Sequence, residues 1–245
     1  MNRDVLWLTA RQLLGKRRTL LMGLFALLPV GLAVAFRVYG DGDPARWTAT
    51  TLLGGVVVGT LLPLASLVFG TAALGLEIED GTAVYILAKP LPRRDILLSK
   101  LAVAWAVTSA FVLVSAVASA AISIQSGADG PRLIAGFLVA TLLGSLGYCA
   151  VFLPLSLWTS RALVAGLIYV LVWEGIVTRL FTGIRVFSVR QYTLGIAGRV
   201  ADASPRTFEA DMAGQTAAIL LVLVVIAATL LAIRRLQRFE AGEAG

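Results

Sequence analysis

Histidine is absent from this sequence, and cysteine occurs once, at Cys149. With no imidazole there is no Ser-His or Cys-His nucleophile pair and no H-E-x-x-H zinc motif. A lone cysteine excludes a disulfide within the chain, and the ordinary Cys/His metal sites go with it. Cys149 lies inside an apolar run and reads as inert packing. Charge is scarce too: charged residues make up 14% of the chain, against roughly 25% in a soluble domain. The pattern G-x-x-x-x-G-K-[ST] does not occur either, so the chain lacks the usual backbone cradle for ATP phosphates.

What fills the chain instead is apolar. Hydrophobic residues account for 58% of the 245 and the mean hydropathy is +0.88, values that point to a bilayer as solvent. Five charge-free runs stand out: Thr19 to Phe36, Trp47 to Leu76, Leu101 to Ala128, Leu133 to Ser160 and Met212 to Ile233. Each is long enough to cross, since about 20 apolar residues span the hydrocarbon. A sixth run from Ala162 is interrupted late by Glu174 and Arg179. The expectation is an all-α polytopic protein with one transmembrane domain over 1–245. Its six spans fall near 19–38, 50–76, 101–124, 133–158, 162–180 and 212–233.

Lys and Arg near the span ends set the orientation. With both termini inside, 13 of the 21 basic residues, including all three lysines, fall on the cytoplasmic side. The +7 net charge is thereby assigned to topology rather than to nucleic acid. This makes 77–100 a cytoplasmic loop and leaves 181–211 as a segment outside the membrane. Lys16-Arg17-Arg18 before an apolar run mimics a signal peptide, but residues 3–18 read better as an interfacial helix. Leu6, Ala10, Leu13 and Leu14 share one of its faces, with Asp4, Arg11 and Arg18 on the other.

Ionisable residues inside a membrane are the default functional candidates, and here they are nearly missing. That counts against an ion-coupled carrier, an intramembrane protease or a lipid-modifying enzyme. Glu174 is the exception, about 18 Å along its span at 1.5 Å per residue. With Trp173 beside it and Thr178 one turn on, it is a candidate gate or substrate-facing carboxylate. The plainer alternative is a helix-end residue in the outer interface, paired with an arginine of the outer segment. Gly55-x-x-x-Gly59 has the spacing of a close helix pair, but such a match is common by chance and reads as packing.

The most polar stretch is LEIEDGTAVYILAKPLPRRD, from Leu76 to Asp95. Glu77, Glu79 and Asp80 fall where span two leaves the membrane. Gly81 and Thr82 follow, and Asp80 or Thr82 suits the cap of a short helix. Tyr85, Ile86 and Leu87 would form an apolar patch too small for a core. Lys89 and Leu91 precede Pro90 and Pro92, which biases both to extended backbone. Arg93, Arg94 and Asp95 then lead into the next helix, which enters the membrane by Lys100. The whole has the shape of a docking knob for a partner protein.

The order E-x-E-D-G-T-x-x-Y-x-L-A-x-P-x-x-R-R, followed by K-L, resembles the loop between spans two and three of ABC-2 type transporter permeases. The likeness is closest to the half-size, six-span, type V exporter-like members. Trp173-Glu174 and Ser188-x-Arg190-x-Tyr192 resemble the elements that close span five and open the outer segment there. The chain departs at Pro92, where the family often has serine. The resemblance implies an outer helical gate between spans five and six and a loop that docks on a separate ATPase subunit. Docking would fall to Glu77, Glu79, Asp80, Gly81 and Thr82, then Tyr85, Leu87, Pro90, Arg93 and Arg94. This chain would bind no cofactor and hydrolyse nothing itself. ATP and Mg would sit on the partner, and a second permease chain would complete the pathway as a homo- or heterodimer in the plasma membrane. The alternatives are a membrane scaffold or anchor, and an ATP-independent carrier.

Overall fold

The computed structural model describes residues 3–79, 92–124, 130–159 and 161–238. Within them every regular element is helical and no strand occurs. Helix α1 is Arg3–Leu13 and α2 is Lys16–Tyr39. Helix α3 is continuous in three segments: Pro44–Trp47, the wider i→i+5 winding of Thr48–Leu61, and Leu62–Glu79. Helices α4 and α5 are Arg93–Ser123 and Gly130–Trp158. Helix α6 begins as Ala162–Ile168, widens over Tyr169–Val177 and closes with Thr178–Leu180. A 3-10 turn, Thr182–Phe187, leads to α7, Val189–Ala201, and α8 is Gly214–Arg238.

Five of these helices are long and apolar enough to cross a membrane: α2, α3, α4, α5 and α8. The expected fifth span in chain order, 162–180, is a shorter apolar helix, Ala162–Val177. Residues 93–100, read as the approach of the next helix to the membrane, are the first turns of α4.

Burial sorts the helices. In α3 and α5 67% of the apolar window is buried, against 11% in α2. Leu20, Leu24 and Leu27 of α2 and Ile219, Leu223 and Ile226 of α8 stand exposed. This is the arrangement of a bundle whose apolar periphery faces lipid. Because lipid is as apolar as leucine, contacts between spans lean on small residues and hydroxyls. Ser115 Oγ of α4 donates to the Ala26 carbonyl of α2 at 2.5 Å, and Thr48 Oγ1 of α3 donates to Ser123 Oγ at 2.8 Å. Ser109 and Ser145 join α4 to α5 at 2.7 Å, and Trp105 Nε1 donates to the Leu142 carbonyl at 2.8 Å. Cys149 is fully buried, with Thr108 Oγ1 at 3.6 Å.

Helix α7 was expected within a segment standing outside the membrane. It packs extensively along α5. The register is antiparallel. A side chain on Gly147 would meet Val189, one on Gly144 would meet Thr193, and one on Gly136 would come within 2.6 Å of the Ala201 nitrogen. Three positions without side chains thus let α7 settle against α5 from its middle to its Gly130 end. Gly59 of α3 gives similar room to the Arg190 guanidinium, so the Gly55/Gly59 spacing serves contact with α7 at one of its two positions.

At the opposite end, Leu13 of α1, Leu97 of α4 and Leu236 of α8 share one buried apolar cluster with Phe69 and Leu153. The expected apolar face of α1 forms in part: Leu13 is buried and Leu6 and Ala10 pack beside it, whereas Leu14 is 48% exposed. Both ends of the described chain therefore sit at the same end of the bundle.

Candidate functional site

Two polar constellations interrupt the apolar interior. The first lies where α3 ends and α4 begins. Ala73 and Glu77 are one helical turn apart on the inner side of α3. Lys100 Nζ donates to the Ala73 carbonyl at 2.8 Å and to Glu77 Oε1 at 2.6 Å. The ammonium is fully buried and the carboxylate nearly so. A charge pair this dry is held by geometry, because removing either partner leaves an uncompensated ion. Glu77 was expected among the docking residues, and the structure places its side chain in the interior. Its side chain turns into the bundle because Lys100 supplies a counter-charge there.

Arg93 opens α4 a few residues away. Its Nη1 donates to the carbonyls of Leu236 and Gln237 at 2.7 and 2.6 Å. Those groups belong to the last turn of α8, where carbonyls have no partner within the helix and the dipole favours a cation. Arg93 is thus committed to fastening α4 to α8. Arg94 points outward, 73% exposed and 3.9 Å from the Asp95 carboxylate. Glu79 ends α3. Asp80, Gly81, Thr82, Tyr85, Leu87 and Pro90 lie outside the described residues. The two helix ends that frame 80–91 are accordingly fixed to each other and to α8.

The second constellation surrounds Glu174. The wide winding of Tyr169–Val177 brings residues five apart onto one side, and Tyr169 Oη donates to Glu174 Oε1 at 3.2 Å. The Val189 backbone N–H donates to the same oxygen at 3.0 Å, and Ser188 Oγ donates to Oε2 at 2.8 Å. Ser188 is the N-cap of α7, its Oγ also accepting from the Gln191 N–H at 3.2 Å. The carboxylate therefore rests on the N-terminus of α7, where free N–H groups and the helix dipole favour negative charge. Trp173 Nε1 donates to the Phe187 carbonyl at 3.3 Å, and Thr178 Oγ1 to the Glu174 carbonyl at 2.9 Å. Tyr192 Oη closes onto the Val186 carbonyl.

Of the three candidate gate residues, Glu174 thus joins α6 to α7, Trp173 ties α6 to the 3-10 turn before α7, and Thr178 bonds within α6. Val189 is level with Gly147, near the middle of α5, so Glu174 sits at mid-bundle. Two partners escaped the sequence reading. Ser188 carried a usable signal, since Ser188-x-x-Gln191 has the S-x-x-Q spacing of a capping box. Tyr169 carried none, because a five-residue spacing does not share a face in an ordinary α-helix.

Nothing in the described residues forms a cluster able to hold a metal ion. No curated protein matches the chain. A family model described as "ABC-2 family transporter protein" matches residues 15–176. That match takes in α2 to α5 and most of α6, both helix ends that frame 80–91, and Glu174 itself.

Proposed function

The chain belongs to the ABC-2 family of transporter proteins and is a multi-pass membrane protein, and on that premise we propose that it is the permease subunit of an ATP-driven ABC exporter. Two permease chains, identical or sibling, would line the pathway. Separate ATPase subunits would hold ATP and Mg and dock on the 77–95 loop from the cytoplasm. In this reading both termini face the cytoplasm at the plasma membrane, α1 lies in the interface, and α6 with α7 makes the sixth crossing.

One observation carries the coupling role: the charge pair of Glu77 and Lys100, buried directly behind the loop. A loop on flexible stems would absorb the motion of a partner. Here α3 and α4 are locked by that pair, and Arg93 ties them to α8. A displacement applied between residues 80 and 91 would therefore move three spans together. The absence of a phosphate loop in the sequence agrees with this division of labour.

The test is to co-express the chain with a candidate ABC ATPase subunit from the same genome, replacing Tyr85 and Arg94 by Asp. Both substitutions should abolish co-purification and stimulated ATP hydrolysis while the permease still reaches the membrane. Survival of both properties would sink the docking role of this loop.

A further inference from the structure

Two cavities open side by side along α2, α3 and α6, at the end of the bundle that holds the Glu77–Lys100 pair. The first, of about 340 Å³, is bordered by Arg18 and Arg161 together with the hydroxyls of Thr71, Ser156 and Thr159. The second, of about 290 Å³, has a wholly apolar wall that includes Met22, Phe25, Leu67 and Leu167. Leu163 and Val164 line both, so the two form one groove with a cationic mouth and an apolar floor.

The mouth is unusual for its charge. Neither guanidinium has an acidic partner among the described residues. Arg18 enters α2 and Arg161 precedes α6, so one groove gathers cations from two helix entrances. Thr159 Oγ1 accepts from the Arg161 backbone N–H at 3.2 Å, which leaves its own proton to donate. Two guanidiniums and a hydroxyl suit a phosphate, whose oxygens accept charge-assisted bonds from arginine. A free phosphate would fill only the mouth. The floor, with no polar atom to hold water, suits a hydrocarbon chain.

The geometry points to a binding site for one anionic phospholipid of the leaflet at this end. Its phosphate lies between Arg18 and Arg161, and one acyl chain runs along Phe25, Leu67 and Leu167. The lipid would lie between α2, α3 and the first turns of α6. This site rests on the membrane reading of the chain and not on coupling to an ATPase, so it is tested without the partner subunit.

The experiment uses the full chain, purified in detergent and stripped of lipid. Phosphatidylglycerol, phosphatidylcholine or inorganic phosphate is then added, and retained ligand is counted by native mass spectrometry. One phosphatidylglycerol should be retained in preference to phosphatidylcholine, and inorganic phosphate should not displace it. Arg18→Gln and Arg161→Gln should each lower retention roughly tenfold, as expected for loss of one charge-assisted contact. Val68→Trp, which plugs the floor and keeps both arginines, should also abolish retention. Equal retention of the two lipids would overturn the site. So would displacement by phosphate, which would mark a free-anion site, or full retention by Val68→Trp, which would mark surface charge alone. A phosphatidylglycerol with a photoactivatable acyl chain settles the matter on the unaltered chain. Labelling of peptides holding Phe25, Leu67 or Leu167 supports the site, and labelling confined elsewhere rejects it.

Discussion

Lys100 is the residue whose role changes most between sequence and structure. In the sequence it is one more cation at a span entrance. In the fold it is fully buried, 2.6 Å from Glu77 and 2.8 Å from a backbone carbonyl. Pairs of this kind are costly to break on one side and far less costly to replace whole. Lys100→Met should therefore destabilise the chain by about 3–5 kcal/mol, read as a lower denaturant midpoint in detergent. Glu77→Gln combined with Lys100→Met should recover most of that loss. An equal loss in the double variant would mean that the pair matters for packing rather than for charge. The pairing was not legible in the sequence because 23 positions separate the partners, and only tertiary packing decides which face of each helix turns inward. Glu174 was legible as an isolated carboxylate in an apolar run. Its use was not, since its partners come from the backbone of Val189 and from a cap that forms only once α7 is in place.

At the scale of elements, long charge-free runs located the five spans well, because burial in lipid demands continuous apolar sequence and continuous helix. The packing of α7 on α5 was less legible for the same reason. Arg190 and Arg199 make its stretch look polar, and the signal that it belongs to the bundle lies on a different helix, in the glycines of α5. The register makes this testable. A side chain at Gly136 would come within 2.6 Å of the Ala201 nitrogen, a backbone atom that cannot swing aside. Gly136→Val should cost about 1–3 kcal/mol through overpacking. Gly31 on the exposed α2 has nothing within 4 Å of a new side chain, so Gly31→Val should stay within about 0.5 kcal/mol of the parent. Unfolding followed by tryptophan fluorescence compares the two. Equal effects would show that α7 does not hold this register.

For the whole molecule, the question is how many times the chain crosses. Five helices are long enough alone, and five crossings would put the termini on opposite faces of the membrane. The packing argues for an even number. Leu13 and Leu236 share one cluster at one end of the bundle. Helix α6 starts at that end beside Thr71 and Gly75, and is fastened at mid-bundle to α7, which runs on to the Gly130 end of α5. In the proposed six-crossing reading, these two partial helices would cover the depth of one span, joined at Glu174. Backbone breaks of this kind are tolerated in a membrane only where protein groups satisfy the freed polar atoms, as the Glu174 carboxylate does for the Val189 N–H and Ser188 Oγ for the Gln191 N–H. Cys149 is the chain's single thiol and is buried, so an introduced cysteine reports alone. Arg11→Cys and Arg235→Cys should react with an impermeant maleimide only after the cells are opened. Arg206→Cys, on the exposed stretch between α7 and α8, should react in intact cells. If Arg11→Cys and Arg235→Cys label from opposite sides, α6 and α7 do not make a crossing, and the fastening at Glu174 would have to be explained within a five-span bundle.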